Sequence, residues 1–143
     1  MKVFDCFTYF DEDLILETRL NILNDYVDYF IIVESIYNHN GESRDLKFNI
    51  NKYTKFKNKI KYIVWDKVPV DIEVIKENDS DIDREHKFIY NAVKRDNGQR
   101  NYVMKGLDNA EDNDLILLSD LDEIPSLNRI DLKNIKAKII IFD

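Results

Sequence analysis

Two short, unbroken apolar runs constrain this chain more than anything else in it: Tyr29-Phe-Ile-Ile-Val33 and Leu115-Ile-Leu-Leu118. A strand with one face in water alternates apolar and polar residues, whereas a strand apolar at every position needs cover on both faces. Two such strands call for a sheet held between layers, which favours a largely parallel sheet with crossover helices. The segments between them agree. Lys2 to Thr8 alternates and is rich in β formers, so it reads as a first strand. Asp11 stands at a helix N-cap position with Glu12 and Asp13 in the first turn, where negative charge suits the helix dipole. Leu16, Leu20, Leu23 and Val27 then form one apolar helical stripe, and the helix is expected to end near Asp25 to Asp28.

Ile60 to Trp65 reads as a third strand, and Asp114 to Ser119 as a fourth. Between them, Arg84 to Leu107 is helical in tendency, with Asn97-Gly98 as a natural stop and restart. Pro125 is placed to open a short helix toward Asn134, and Lys138 to Phe142 reads as a fifth strand. The expected fold is α/β, a mostly parallel sheet flanked by helices, in a single domain over residues 1–143.

Composition narrows the function. With 143 residues, 44% hydrophobic and 12% aromatic, the chain has enough apolar mass for one core and is not disordered. No apolar run approaches the ~18 residues of a membrane span. The N-terminal Met-Lys-Val-Phe-Asp lacks a signal peptide's apolar stretch, so the expected location is the cytoplasm. A lone cysteine, Cys6, excludes a disulfide scaffold and a cysteine-built zinc site. The net charge of −7 argues against a nucleic-acid backbone as partner.

In open parallel sheets, ligands sit outside the carboxyl ends of the strands. That directs attention to Ser119-Asp-Leu-Asp-Glu-Ile-Pro125. Asp120 and Asp122 are two apart, so in extended geometry their side chains leave the same side of the chain. Two converging carboxylates suit Mg²⁺ or Mn²⁺, the usual partners of a diphosphate. Asp-x-Asp alone decides little, because it occurs five times in this acidic chain; only the pair at 120 and 122 directly follows an apolar strand. A phosphatase of the haloacid-dehalogenase type would carry such a pair on its first strand, yet 119 residues precede Asp120. A nucleotide-sugar glycosyltransferase places it after a nucleotide-binding half of about this length.

The stretch Asp114 to Pro125 resembles the metal-binding segment of glycosyltransferase family 17, which includes the enzyme adding the bisecting N-acetylglucosamine to N-glycans. Phe4 to Glu12 with Leu14, Leu16, Arg19 and Leu20 is similar to the family's opening. Val33-Glu-Ser35 with His39, Gly41, Leu46 and Phe48 is similar to its second-strand loop. Arg84-Glu-His86 and Gln99-Arg-Asn101 with Lys105-Gly-Leu107 are similar to its central helical segment. Arg44-Asp45 stands where the family often has Lys-Pro.

The resemblance implies a GT-A-like, Rossmann-like fold and metal-dependent transfer of N-acetylglucosamine from a UDP-sugar to a glycan hydroxyl, with inversion. It implies that Asp122 binds the metal and that Asp120 binds the metal or the ribose. Family members are generally longer, and the later part carries the acceptor pocket and the base. On that ground the chain is expected to be the nucleotide-sugar half, with its catalytic base unassigned. A truncated domain that binds nucleotide-sugar without transferring it is the alternative.

Further nucleotide-sugar candidates are Thr8, Tyr9 and Phe10, which follow the first strand and are placed to meet the base. Glu34 ends an apolar strand, where a carboxylate needs a ligand or an ion pair with Arg19 or Arg100. Arg100 offers a planar fork for phosphate at the start of a helix near Gln99. His39 lies in a loop with Gly41, and Glu123 stands as a supporting carboxylate or a plain turn residue. His86 reads as a solvated helix residue.

Overall fold

The structure, a computed structural model, describes residues 1–135, 139 and 141. Four parallel strands form one sheet: β1 (Val3–Tyr9), β2 (Tyr29–Ser35), β3 (Ile60–Trp65) and β4 (Leu115–Leu118), in the order β3-β2-β1-β4. The α/β expectation holds, with all pairings parallel. The fifth strand expected over Lys138 to Phe142 lies outside the described residues. No helix among the described residues is long and apolar enough to cross a membrane.

Side chains alternate across the sheet and feed two cores. On one face, Val3, Phe7 and Tyr9 of β1 with Phe30 and Ile32 of β2 pack beneath α1 (Asp13–Leu23) and the 3-10 segment Ile50–Phe56. Leu16, Leu20 and Leu23 are fully buried there, as the stripe required, and Val27 joins them from just beyond the helix. The helix begins two residues past Asp11: Glu12 occupies the cap position, and its carboxylate accepts the backbone N–H groups of Phe10 and Asp11. On the other face, Phe4, Cys6, Ile31, Val33 and Trp65 pack with Val103 of the 3-10 segment Tyr102–Gly106. Burial pushes the Cys6 thiol up to about 12, so it is an inert packing residue.

Three local expectations are corrected. Helix α2 runs unbroken from Asp81 to Asn101, straight through Asn97-Gly98. Gly98 serves close packing there: a Cβ at this position would lie 2.6 Å from Cζ2 of Trp65. Pro125 opens no α-helix; Leu127–Arg129 and Leu132–Asn134 are single 3-10 turns. Strand β4 is apolar throughout yet covered on one face only, with Ile116 and Leu118 exposed beside Phe4 and Cys6. The Tyr102–Gly106 segment packs chiefly over β1, β2 and β3, which leaves this edge less covered.

Candidate functional site

The strand order changes direction at β1: β2 and β3 lie on one side of it and β4 on the other. Such a switch point opens a crevice at the carboxyl ends of the strands on either side of it, here β1 and β4. A cleft of about 530 Å³ lies there, between the end of β1, the turn after β4 and the last turns of α2. That volume is within the usual range for small-ligand sites.

The turn after β4 rests on Arg19, a residue with no exposed surface in the middle of an apolar stripe. The guanidinium donates through Nε and Nη2 to both oxygens of the equally buried Asp5 carboxylate, at 2.8 and 2.7 Å. Nη2 also donates to Ser119 Oγ (2.7 Å), while Nη1 donates to the carbonyls of Asp120 (2.7 Å), Leu121 (3.1 Å) and Glu123 (3.1 Å). Burial raises the Asp5 carboxyl above its ordinary range, and the Arg19 fork opposes that rise. Ion-paired burial of this kind is tolerable because each polar atom is satisfied. The turn after β4 is therefore clamped from beneath. Leu121 is buried in the core, and Asp120 and Asp122 on either side of it are exposed into the cleft. Glu123 closes the turn, accepting the Asp120 backbone N–H at 3.1 Å.

Thr8, Tyr9 and Phe10 line the same cleft from β1. The Tyr9 ring is buried, and its hydroxyl donates to Asp13 Oδ1 (2.8 Å), an oxygen that Tyr53 also reaches (2.7 Å). Lys52 pairs with the same carboxylate, and together these partners hold Asp13 down to about 2. Burial, with Asp13 alongside, pushes the Tyr9 hydroxyl well above the usual phenol value. Phe10 is more accessible, with the Arg44 guanidinium 4.0 Å over its ring.

Arg100 enters from α2, where its Nη2 meets Asp120 Oδ1 at 2.7 Å. Asp120 holds the guanidinium above its ordinary value. Arg100 lies in the last turn of α2, not at a helix start, so the free backbone N–H groups expected there are absent. Exposed His39 completes the far wall, on a loop that Arg95 of α2 ties down by donating to the His39 carbonyl (3.1 Å). The loop reverses at Gly41, whose φ of +91° favours glycine.

Glu34 is the candidate that the structure keeps apart from these. It is fully buried and accepts from Arg44 Nη1 (3.0 Å), the Lys47 and Phe48 backbone N–H groups (2.7 and 3.1 Å) and the Tyr62 hydroxyl (2.8 Å). Its ion-pair partner is Arg44, in place of the Arg19 or Arg100 expected from sequence. Arg44 also donates to the Phe10 carbonyl, so this network ties the second-strand loop to the cleft rim. The sequence reading missed the Asp5–Arg19 pair as well. Its signal was an acid inside a strand and a base on the apolar stripe of the next helix, two opposite charges that burial would force together.

The family model of glycosyltransferase family 17 matches residues 1–139. The chain belongs to glycosyltransferase family 17. Searches of curated proteins and of solved structures returned no match. A family 17 site must accommodate a transferred sugar's leaving group, which raises the question of a divalent ion. Among the described residues no three His, Cys, Asp or Glu side chains assemble into a cage. Asp120 and Asp122 are nonetheless two hard-oxygen donors on one open cleft. Mg²⁺ binds characteristically through one or two carboxylates, with phosphate oxygens and water supplying the rest. The donor set thus fits an ion carried by a diphosphate and does not fit an ion held by protein alone.

Proposed function

We propose that this family 17 chain is a GT-A-type domain that binds a UDP-sugar, with N-acetylglucosamine as the sugar, for transfer to a glycan hydroxyl. The observation that carries the reading is the meeting of Asp120, Asp122 and Arg100 in one cleft at the switch point of the sheet. Asp120 and Asp122 would hold Mn²⁺ or Mg²⁺, which when bound neutralises charge developing on the departing diphosphate. Arg100 supplies a planar fork matched to phosphate oxygens. Phe10 presents a ring and Thr8 a hydroxyl near the end of β1, where a base and ribose would lie. The clamp of Arg19 keeps the two carboxylates on a fixed backbone, so binding spends little on ordering the turn.

Calorimetric titration of UDP-N-acetylglucosamine with and without Mn²⁺ tests this. Wild type is expected to bind only with the metal, and Asp122→Ala to weaken binding at least about tenfold, as loss of a charged contact does. Wild type that binds no UDP-sugar under any divalent ion would sink the proposal.

A second reading, binding without transfer, draws on the commitments of the cleft carboxylates. Glu12 accepts two backbone N–H groups, Asp120 and Asp122 are given to the metal, and Asp96 lies on α2 beside the phosphate-binding Arg100, so no carboxylate of the cleft is set apart as a base. UDP release in the presence of glycan acceptors separates the readings: release that depends on acceptor supports transfer, and tight binding with no release supports a binding domain.

A further inference from the structure

Arg100 and Asp120 form an ion pair whose two ends are unusual in the same way. Each backbone is pinned, and each side chain is partly exposed. Asp120 sits on the turn that Arg19 clamps through three carbonyls. The α2 turn carrying Arg100 is held by Gln99, whose Nε2 donates to the Val33 carbonyl (2.9 Å), and by Gly98 against Trp65. Yet the Arg100 and Asp120 side chains are 32% and 51% exposed. An ion pair this exposed shifts an equilibrium by no more than about fivefold, so it opens at little cost. A second acceptor is in place: Asp96 Oδ2, one turn back on α2, lies 3.7 Å from Arg100 Nη2. The guanidinium can therefore leave Asp120 by side-chain rotation alone and still keep a carboxylate beside it.

From this geometry, and resting on the nucleotide-sugar reading above, we infer that Arg100 is a resident counter-ion which exchanges partners when ligand arrives. In the free cleft it neutralises Asp120. When a metal-bearing diphosphate enters, the guanidinium passes to the phosphate oxygens, and the Asp120 carboxylate is released to the divalent ion. Neither ligand gains the full benefit alone. A divalent ion arriving first must displace Arg100 from Asp120. A diphosphate arriving first draws Arg100 from Asp120 and leaves the carboxylates of Asp120 and Asp122 uncompensated beside it. Together they leave Arg100, Asp120 and Asp122 each beside an opposite charge, so metal and diphosphate binding are positively coupled through one side chain, and by linkage each tightens the other equally. Arg100 is thus a positioning residue for the metal carboxylate as well as a phosphate contact.

The test measures Mn²⁺ binding alone, and UDP binding at saturating Mn²⁺, for wild type, Arg100→Gln and Arg100→Lys. Arg100→Gln is expected to tighten Mn²⁺ binding in the absence of nucleotide by about two- to fivefold, the amount an exposed pair withholds. The same variant is expected to weaken UDP binding by about tenfold or more, as loss of a charge-assisted contact does. Arg100→Lys keeps the cation but not the fork, so its Mn²⁺ affinity stays near wild type while UDP binding falls. A neutral residue at position 100 that leaves Mn²⁺ affinity unchanged or weaker overturns the exchange, as does unchanged UDP affinity. Wild type that binds Mn²⁺ but no UDP at any metal concentration overturns the nucleotide-sugar reading instead, a distinct result.

Discussion

At the scale of single residues, the site is governed by charges placed where the fold would rather have none. Arg19 uses its whole guanidinium fork on Asp5 and on the turn after β4. Arg19→Met strands a buried carboxylate and should cost about 3–5 kcal/mol in urea unfolding. Adding Asp5→Leu removes the stranded charge and is expected to recover part of that stability. Nucleotide binding should not return, because the carbonyls of residues 120, 121 and 123 still lack their donor. Recovery of UDP affinity in the double variant would show that Arg19 serves only to neutralise Asp5. Asp13 gives a pH signature of the ordinary sign for a carboxylate. Its value is about 2 in the folded chain, below its unfolded value, so it contributes stability above pH of about 4 that fades as pH falls toward 2. The side chain is 40% exposed, so the effect is at most about 1 kcal/mol. Urea midpoints of wild type and Asp13→Asn should differ at pH 6 and converge near pH 2; a gap that widens in acid would reverse this assignment.

At the scale of elements, α2 shows how tertiary contact overrides a local signal. Asn-Gly in a helical stretch reads as a stop, since glycine costs a helix about 1 kcal/mol relative to alanine. Here the indole of Trp65 takes the space a side chain would fill, and the helix continues. Continuity is what delivers Gln99 to the end of β2 and Arg100 to Asp120. Gly98→Ala should therefore destabilise by about 1–3 kcal/mol through overpacking, despite its better helix propensity. Thermal unfolding that finds the alanine variant more stable would mean that Trp65 yields freely. The segment before α2 is strapped to it from the helix side: Asn91 exchanges two 2.8 Å hydrogen bonds with the Glu73 backbone, and Lys87 pairs with Asp79 at 2.7 Å. No local pattern announces those straps, because the segment they hold has no periodicity of its own.

At the scale of the molecule, four separate stretches of chain meet at the cleft: the end of β1 running into α1, the loop carrying His39, the end of α2 and the turn after β4. A ligand spanning them binds only the assembled fold. UDP with Mn²⁺ at one hundred times its dissociation constant should add about 2.7 kcal/mol of stability. That corresponds to a rise of about 5–10 °C in the unfolding midpoint for a chain of this size. Asp122→Ala should lose most of the rise, and an equal rise in that variant would place the ligand elsewhere. Sequence and structure divide the determination of this protein along a physical line. The strands, the stripe of α1 and the acidic turn after β4 were legible, because period and apolar continuity are properties of neighbouring residues. The family likeness was legible in the same turn. Which strand lies beside which was not, and the order β3-β2-β1-β4 alone decides that the cleft opens between β1 and β4. The partners of Glu34, Arg19 and Arg100 were likewise beyond local reading, since a buried charge takes whichever opposite charge packing brings to it. The sequence by itself determined the elements and the chemistry on offer; the tertiary structure decided which groups share a site, because pairing energies act through space and not along the chain.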